Sequence, residues 1–130
     1  MWNVRLSMCE AECEGRHWRL YVQDMCEFSE KVLTYTDGLD LDLFINDSLI
    51  YDATLRNIEL IGEAATHVPR EVREAHQEIQ WRQIIGTRNH VAHAYLGLDN
   101  DVIWDIICTD IPDLLPALQN LLNTTDEEGM

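Results

Sequence analysis

The sequence predicts an all-α fold: an antiparallel four-helix up-and-down bundle with short extra helices. Three observations carry this. Apolar residues recur at spacings of three and four almost throughout, the period of a helix that buries one stripe. No segment alternates apolar and polar residues at a spacing of two, as a half-buried strand would. Cap and stop residues punctuate the chain at modest intervals, so consecutive helices can fold back and pack side by side.

The elements follow in order. Trp18, Tyr21, Val22, Met25, Phe28, Val32 and Leu33 form the apolar stripe of a first helix that stops near Asp37-Gly38. Residues 40–45 suit one short helical turn. A second helix starts after the capping candidates Asn46, Asp47 and Ser48, buries Ile50, Ala53, Ile58, Ile61 and Ala65, and ends before Pro69. Pro69 suits the first turn of a short helix carrying Arg70 and Arg73. The third main helix is predicted over Trp81–Tyr95, with Gly97 as its exit. A fourth begins after Asn100-Asp101 with Val102, Ile103, Ile106 and Ile107. Pro112 and Pro116 are expected to bend or split it before Leu114, Leu115, Leu118, Leu121 and Leu122.

Composition bounds the class of protein. The chain has 130 residues, 46% of them apolar and only 3 proline, which suits one globular domain. No stretch approaches the roughly 20 apolar residues of a membrane span. Residues 1–16 lack the apolar core of a secretory signal and carry Glu10, Glu12 and Glu14. The expectation is a cytoplasmic protein with no membrane contact: an N-terminal extension over residues 1–15, a helical domain over 16–123 and an acidic tail over 124–130. The 4 cysteines form no CxxC pair. Cys26 and Cys108 sit among apolar residues and read as small core side chains. Cys9 and Cys13, one helical turn apart, do not make a metal site by themselves.

The net charge is −15, from 9 basic and 24 acidic residues. That argues against gripping nucleic acid with the whole surface, which requires neutralising many phosphates. Between Ala64 and Leu96, however, Arg70, Arg73, Arg82 and Arg88 face only Glu71, Glu74 and Glu78. No Lys or Arg follows Arg88. A nucleic-acid contact would therefore be small and local, and the acidic remainder suits a basic protein partner.

The locally basic region contains Arg88-Asn89-His90-Val91-Ala92-His93-Ala94-Tyr95. On an ideal helix Asn89 and His93 share one face, and Arg88 lies roughly 140° from His93, within sweep of its long side chain. A fixed cation beside an imidazole suits phosphodiester chemistry: one holds the phosphate and the other moves a proton near neutral pH. Glu59, Glu63 and His67 form a second ladder at spacings of four on the preceding helix. Carboxylates and histidine inside a helical bundle can hold two metals, but such sites draw a Glu-x-x-His unit from each of two helices. Glu63 and His67 are four apart and have no counterpart unit, so neither a metal nor another cofactor is expected. Glu63 reads instead as a supporting residue near the motif helix, its charge meeting Arg56 or Arg88.

Arg88-x4-His93-x-Tyr95 resembles the RxxxxHxY signature of HEPN-type ribonuclease toxins, specifically the HepT group. The resemblance extends over about Arg16 to Leu122. It takes in His17-Trp18-Arg19-Leu20-Tyr21, Asp24-Met25, Arg56-Asn57-Ile58-Glu59 with Ile61-Gly62-Glu63-Ala64-Ala65, and Trp81-Arg82-Gln83-Ile84-Ile85-Gly86. It implies a metal-independent endoribonuclease, the toxin of a type VII-like system whose antitoxin is a minimal nucleotidyltransferase of the MntA type. The implied fold is a HEPN-like bundle that forms a homodimer, bringing two motifs to one cleft on the RNA substrate. By resemblance His93 is the acid or base, and Arg88 is the phosphate clamp. Tyr95 is the acceptor of adenylyl groups from ATP, becoming O-AMP-tyrosine. Asn89 either orients the imidazole, binds substrate or caps the dimer contact. His90 stands where the family usually has an apolar residue, and reads as a surface or interface histidine. The competing expectation is a catalytically inactive helical partner of a nucleotidyltransferase, which the acidity favours.

Overall fold

The computed structural model describes residues 17–128, and every regular element within them is helical. The expected N-terminal extension, residues 1–15, lies outside the described residues together with Cys9 and Cys13. Helices α1 (Trp18–Thr36), α2 (Leu41–Asn46), α3 (Ser48–Thr66), α4 (Arg70–Ala75) and α5 (Trp81–Tyr95) follow in order. The last arm is α6 (Asn100–Asp105), a π-helical turn (Ile106–Asp110) and α7 (Ile111–Glu128). The chain is thus an all-α helical bundle. None of its described helices is long and apolar enough to cross a membrane.

Local chemistry sets the helix ends. Asp40 accepts a hydrogen bond from the Leu43 backbone N–H at 2.8 Å, and Asp47 accepts one from Ile50 at 3.1 Å. Each bond satisfies an otherwise orphan amide and contributes about 1 kcal/mol. Helix α1 stops at Thr36, and Gly38 takes a positive φ of 77° that a side chain would resist. The six residues of α2 are too few to be stable alone. Fully buried Phe44 anchors them, with its ring 5.2 Å from Tyr51 and 5.3 Å from Trp104.

Helix α1 packs against α3 and α7, and α3 packs in turn against α5. Val22, Met25, Leu55, Ile58, Ile61, Ile103, Leu118 and Leu121 make the centre of the core. The buried face of α3 differs from the one its apolar spacing implied: Thr54, Leu55 and Asn57 join it, while Ile50 and Ala53 are only half-buried. Asn57 is accommodated by donating to the Ala53 carbonyl at 2.8 Å. Between α3, α5 and α7 remains a cavity of about 130 Å³ whose apolar lining includes Ile58, Ile84, Ile106 and Ile111, with Gln83 and Asp110 among its polar residues.

The proline-bearing arm is interrupted before Pro112, in a particular form, whereas Pro116, also expected to bend or split it, lies inside α7 without ending it. The Ile111 N–H bonds to the Ile106 carbonyl, five residues back. Pro112 has no N–H to give, and its ring would clash with the carbonyl four residues before it; the wider π turn opens that space. Its placement corrects one expectation. Cys26 is buried, but Cys108 is exposed, because the turn directs Ile106 and Ile107 inward and carries Cys108 past the core face. Helix α7 then continues to Glu128, into the stretch expected as an acidic tail.

Candidate active site

Helix α5 carries the motif, and its placement depends on a glycine in α3. A Cβ on Gly62 would lie 3.0 Å from the Ile84 carbonyl oxygen, 3.3 Å from Thr87 Oγ1 and 3.5 Å from Arg88 Cγ. Only a residue without a side chain lets the two backbones approach this closely. The approach brings the neighbouring residue of α3, Glu63, to Arg88: Nη1 donates to Oε2 at 2.7 Å. Of the two partners open to Glu63 from the sequence, Arg88 is the one it takes. Arg56 instead donates to Glu59 at 2.8 Å. Both Arg88 and Glu63 remain about half exposed, so the pair orients the guanidinium more than it stabilises the fold. Tyr51, near the start of α3, meets Tyr95 at the end of α5, so these helices run in opposite directions along the site.

The C-terminus of α5 is closed by a Schellman turn. Gly97, at φ 78°, donates its N–H to the Ala94 carbonyl at 2.8 Å, and Leu98 donates to His93 at 3.0 Å. The reversal folds Asp99 back over the helix it has just left. Its Oδ2 lies 3.0 Å from His90 Nδ1 and 3.1 Å from His93 Nδ1. The His90 hydrogen bond foremost, with that of His93, holds the Asp99 carboxyl below the usual carboxylate range. With Nδ1 engaged, Nε2 is the nitrogen His93 has left for a substrate, on a side chain 54% exposed. Tyr51 fastens the turn from α3. Its hydroxyl donates to the Ala94 carbonyl at 2.9 Å and meets the Asn100 side-chain amide.

Asn89 is exposed one turn before His93. Tyr95 is 56% exposed, and its ring stands edge-on to Tyr51 at 6.4 Å. Seven residues from Arg88, it lies within about 20° of it around an ideal helix and about 10 Å along the axis. Partial burial, followed by the charges of Asp52 and Glu59, pushes its phenol pKa up, against a smaller opposing effect of Arg56. The phenol is therefore protonated at neutral pH, and attack by its oxygen needs a base from elsewhere.

The ladder on α3 is engaged mainly in contacts outside itself. Glu59 pairs with Arg56 and Glu63 with Arg88, while the His67 ring stacks on Tyr21 with centroids 4.6 Å apart and its Nε2 lies 3.8 Å from Glu63 Oε1. No group of three or more potential metal ligands occurs among the described residues. Two residues of this neighbourhood escaped sequence reasoning. Asp99 counted only as one of many acids, and Tyr51 carried no motif. The usable signal for Asp99 was its position two residues after the helix-ending Gly97, where a tight reversal returns the chain to its own last turns.

A family model for HepT-like ribonucleases matches residues 25–121. The relatives carry names of the same kind. A provisionally named RNase of Caldanaerobacter subterraneus subsp. tengcongensis, TTE0752, is 31% identical over 104 residues, covering 80% of this chain and 93% of its own. Another of Methanocaldococcus jannaschii, MJ1380, is 31% identical over 99 residues, 76% of this chain and 91% of its own. A probable ribonuclease HepT of Thermococcus cleftensis is 33% identical over 101 residues, 78% of this chain and 92% of its own. No solved structure matches the chain. With the family model spanning most of the bundle and the relatives covered nearly end to end, the chain belongs to the HepT-like family of ribonucleases.

Proposed function

We propose that this chain is the toxin of a type VII-like HEPN/nucleotidyltransferase toxin–antitoxin pair. In this reading it is a metal-independent endoribonuclease of the cytoplasm, silenced by adenylylation of Tyr95. The observation that supports it best is the anchoring of two exposed groups on one helix: Arg88 by Glu63, and His93 through Nδ1 by Asp99. Cleavage that uses the ribose 2′-hydroxyl as nucleophile asks only for proton transfer and charge stabilisation. The 2′-oxygen–phosphorus bond forms, the bond to the 5′-oxygen breaks, and a cyclic phosphate and a free 5′-hydroxyl result. His93 takes the 2′ proton or supplies one to the leaving oxygen. Arg88 stabilises the negative charge that builds on the phosphoryl oxygens, and Asn89 contacts substrate or imidazole from the same face.

One histidine cannot be base and acid at the same instant, and a homodimer resolves this by supplying two of each group. Its formation is supported by the exposed apolar residues that end the motif helix, Leu96 at 73% and Leu98 at 70%. Silencing follows from Tyr95. Its phenol oxygen attacks the α-phosphorus of ATP, pyrophosphate leaves, and a base of an MntA-type nucleotidyltransferase receives the phenol proton. The added phosphodiester places an anion on the face that carries Arg88, where it competes with RNA phosphate.

The test is intact mass of the chain with and without its nucleotidyltransferase and ATP, followed by RNA cleavage in a chelator. Unmodified protein should cut, AMP-sized mass steps should map to Tyr95, and modified protein should not cut. His93→Ala should abolish cleavage while leaving the fold intact. Cleavage by a purified, folded His93→Ala protein would reject the site. The Arg88–Glu63 pair favours one other reading, an inactive helical partner in which the cation is committed to an internal carboxylate. Unmodified protein unable to cut RNA at any concentration would select it.

A further inference from the structure

We infer that Asp99 is the positioning residue of this site: its carboxylate holds the His93 imidazole in the Nδ1–H tautomer, with His90 as a second donor to the same oxygen. This rests on the reading of His93 as the proton carrier, and it adds what makes that histidine a competent one.

The comparison that carries it lies within the chain. Three aspartates occupy a non-helical position just before a helix: Asp40 before α2, Asp47 before α3 and Asp99 before α6. Asp40 and Asp47 use their carboxylates to cap their own helices, at 2.8 Å and 3.1 Å. Asp99 caps nothing with its side chain, although its backbone carbonyl accepts from Ile103 at 3.0 Å as the first acceptor of α6. Its carboxylate points back across the Schellman turn to α5, where Oδ2 meets His90 Nδ1 at 3.0 Å and His93 Nδ1 at 3.1 Å. Forgoing the favourable cap leaves the histidines as the function of that carboxylate.

An ionised carboxylate only accepts hydrogen bonds, so each imidazole nitrogen facing it carries a proton. That Asp99 is ionised follows from the two donors that hold its pKa down, His90 first. The bond made by one ring nitrogen fixes the state of the other, so the neutral His93 ring keeps its lone pair on Nε2, ready to take a proton from substrate. His90 and His93 are three apart, on one face of α5, and their convergence on one oxygen fixes the carboxylate from two directions. Tyr51 adds the third restraint by joining Ala94, beside His93, to Asn100, beside Asp99. Asp99 is 21% exposed and His93 54% exposed, so the restraint is sheltered while the working ring stays accessible.

The experiment is Asp99→Asn, read by the ring ¹⁵N shifts of His93 at a pH where the imidazole is neutral, together with kcat and KM for RNA. In the wild type the proton sits on Nδ1. In the variant the amide donates to Nδ1, which moves the ring proton to Nε2 and removes the base. The kcat for RNA falls on the order of 100-fold, and KM is unchanged. Asp99→Ser is the second variant. Its hydroxyl suits the position before a helix, so α6 is kept while the reach to His93 is lost, and the Nδ1–H preference disappears. A wild-type ring already in the Nε2–H form overturns the inference, as does an Asp99→Asn ring still in the Nδ1–H form. If neither protein cuts RNA, the tautomers still decide the role of Asp99, and the failure belongs to the proposed ribonuclease reading.

Discussion

Gly62→Ala probes whether the close approach of α3 and α5 sets the motif in place. An added methyl would lie 3.0 Å from the Ile84 carbonyl oxygen, a backbone atom that cannot rotate away. Ordinary van der Waals contact begins near 3.4 Å, so α5 must retreat by about 0.4 Å, the difference between the two distances. Overpacking of this kind costs about 1–3 kcal/mol, and replacing a helical glycine by alanine returns about 1 kcal/mol. The net loss of stability is therefore modest, on the order of 1 kcal/mol. The catalytic effect should be larger. The retreat carries Arg88, whose Cγ is 3.5 Å from the new methyl, away from Glu63, and sub-ångström displacement of a phosphate clamp costs on the order of 10-fold in rate. Gly86→Ala on the same motif helix is the control. No atom lies within 4 Å of its Cβ position, so it should stabilise by about 1 kcal/mol. Urea unfolding and RNA cleavage of both variants decide the matter. A Gly62→Ala protein as stabilised as Gly86→Ala, with undiminished cleavage, would refute the reasoning.

Two further perturbations follow. Glu63→Gln should cost less than about 1 kcal/mol, since both partners of the ion pair are half exposed. It should also lower KM for RNA at low salt by removing the anion that competes for Arg88. That gain should close as salt screens the site, and an unchanged KM would mean that Arg88 does not hold phosphate. Acid should weaken the turn between α5 and α6. Because Asp99 titrates lower in the folded chain than the ordinary value of 3.8, the unfolded chain takes up the proton first. Its contribution is complete above that value and is lost as pH falls through the folded one. The stability difference between wild type and Asp99→Asn should shrink as pH falls below about 3.8; a difference that grows below that pH would contradict the assignment.

Much of the candidate site's geometry was legible because it lies on one element. Arg88, Asn89, His93 and Tyr95 fall within eight consecutive positions of α5, so helical geometry relates them without tertiary information. The partners were not legible, because they arrive from elsewhere. The sequence left Glu63 a choice between Arg56 and Arg88, and only the crossing at Gly62 decides it. Asp99 lies six residues from His93, beyond a turn whose hand depends on Gly97 at φ 78°. The core shows the same division. Apolar spacing pointed to Val22, Ile58 and Ile61, but missed Ser29, whose hydroxyl donates to the Met25 carbonyl at 2.7 Å. A polar residue that bonds its own helix is buried without breaking any rule of burial, and without announcing itself as apolar.

The sequence by itself determined the helices and most of their ends, the C-terminal end of α7 excepted. Caps, stops and periodicity are matters of hydrogen bonds and side chains a few residues apart, as at Asp40, Asp47 and Gly97. It also determined that Pro112 would disturb the last arm, since a missing N–H is a local fact. Only the tertiary structure decided that the disturbance is a π turn exposing Cys108, that Arg88 answers to Glu63, and that Asp99 abandons its cap for two histidines. The Arg88–Glu63 pair depends on how closely α3 and α5 approach at Gly62, and the other two on where a widened turn and a chain reversal carry side chains in space, which the apolar pattern does not encode.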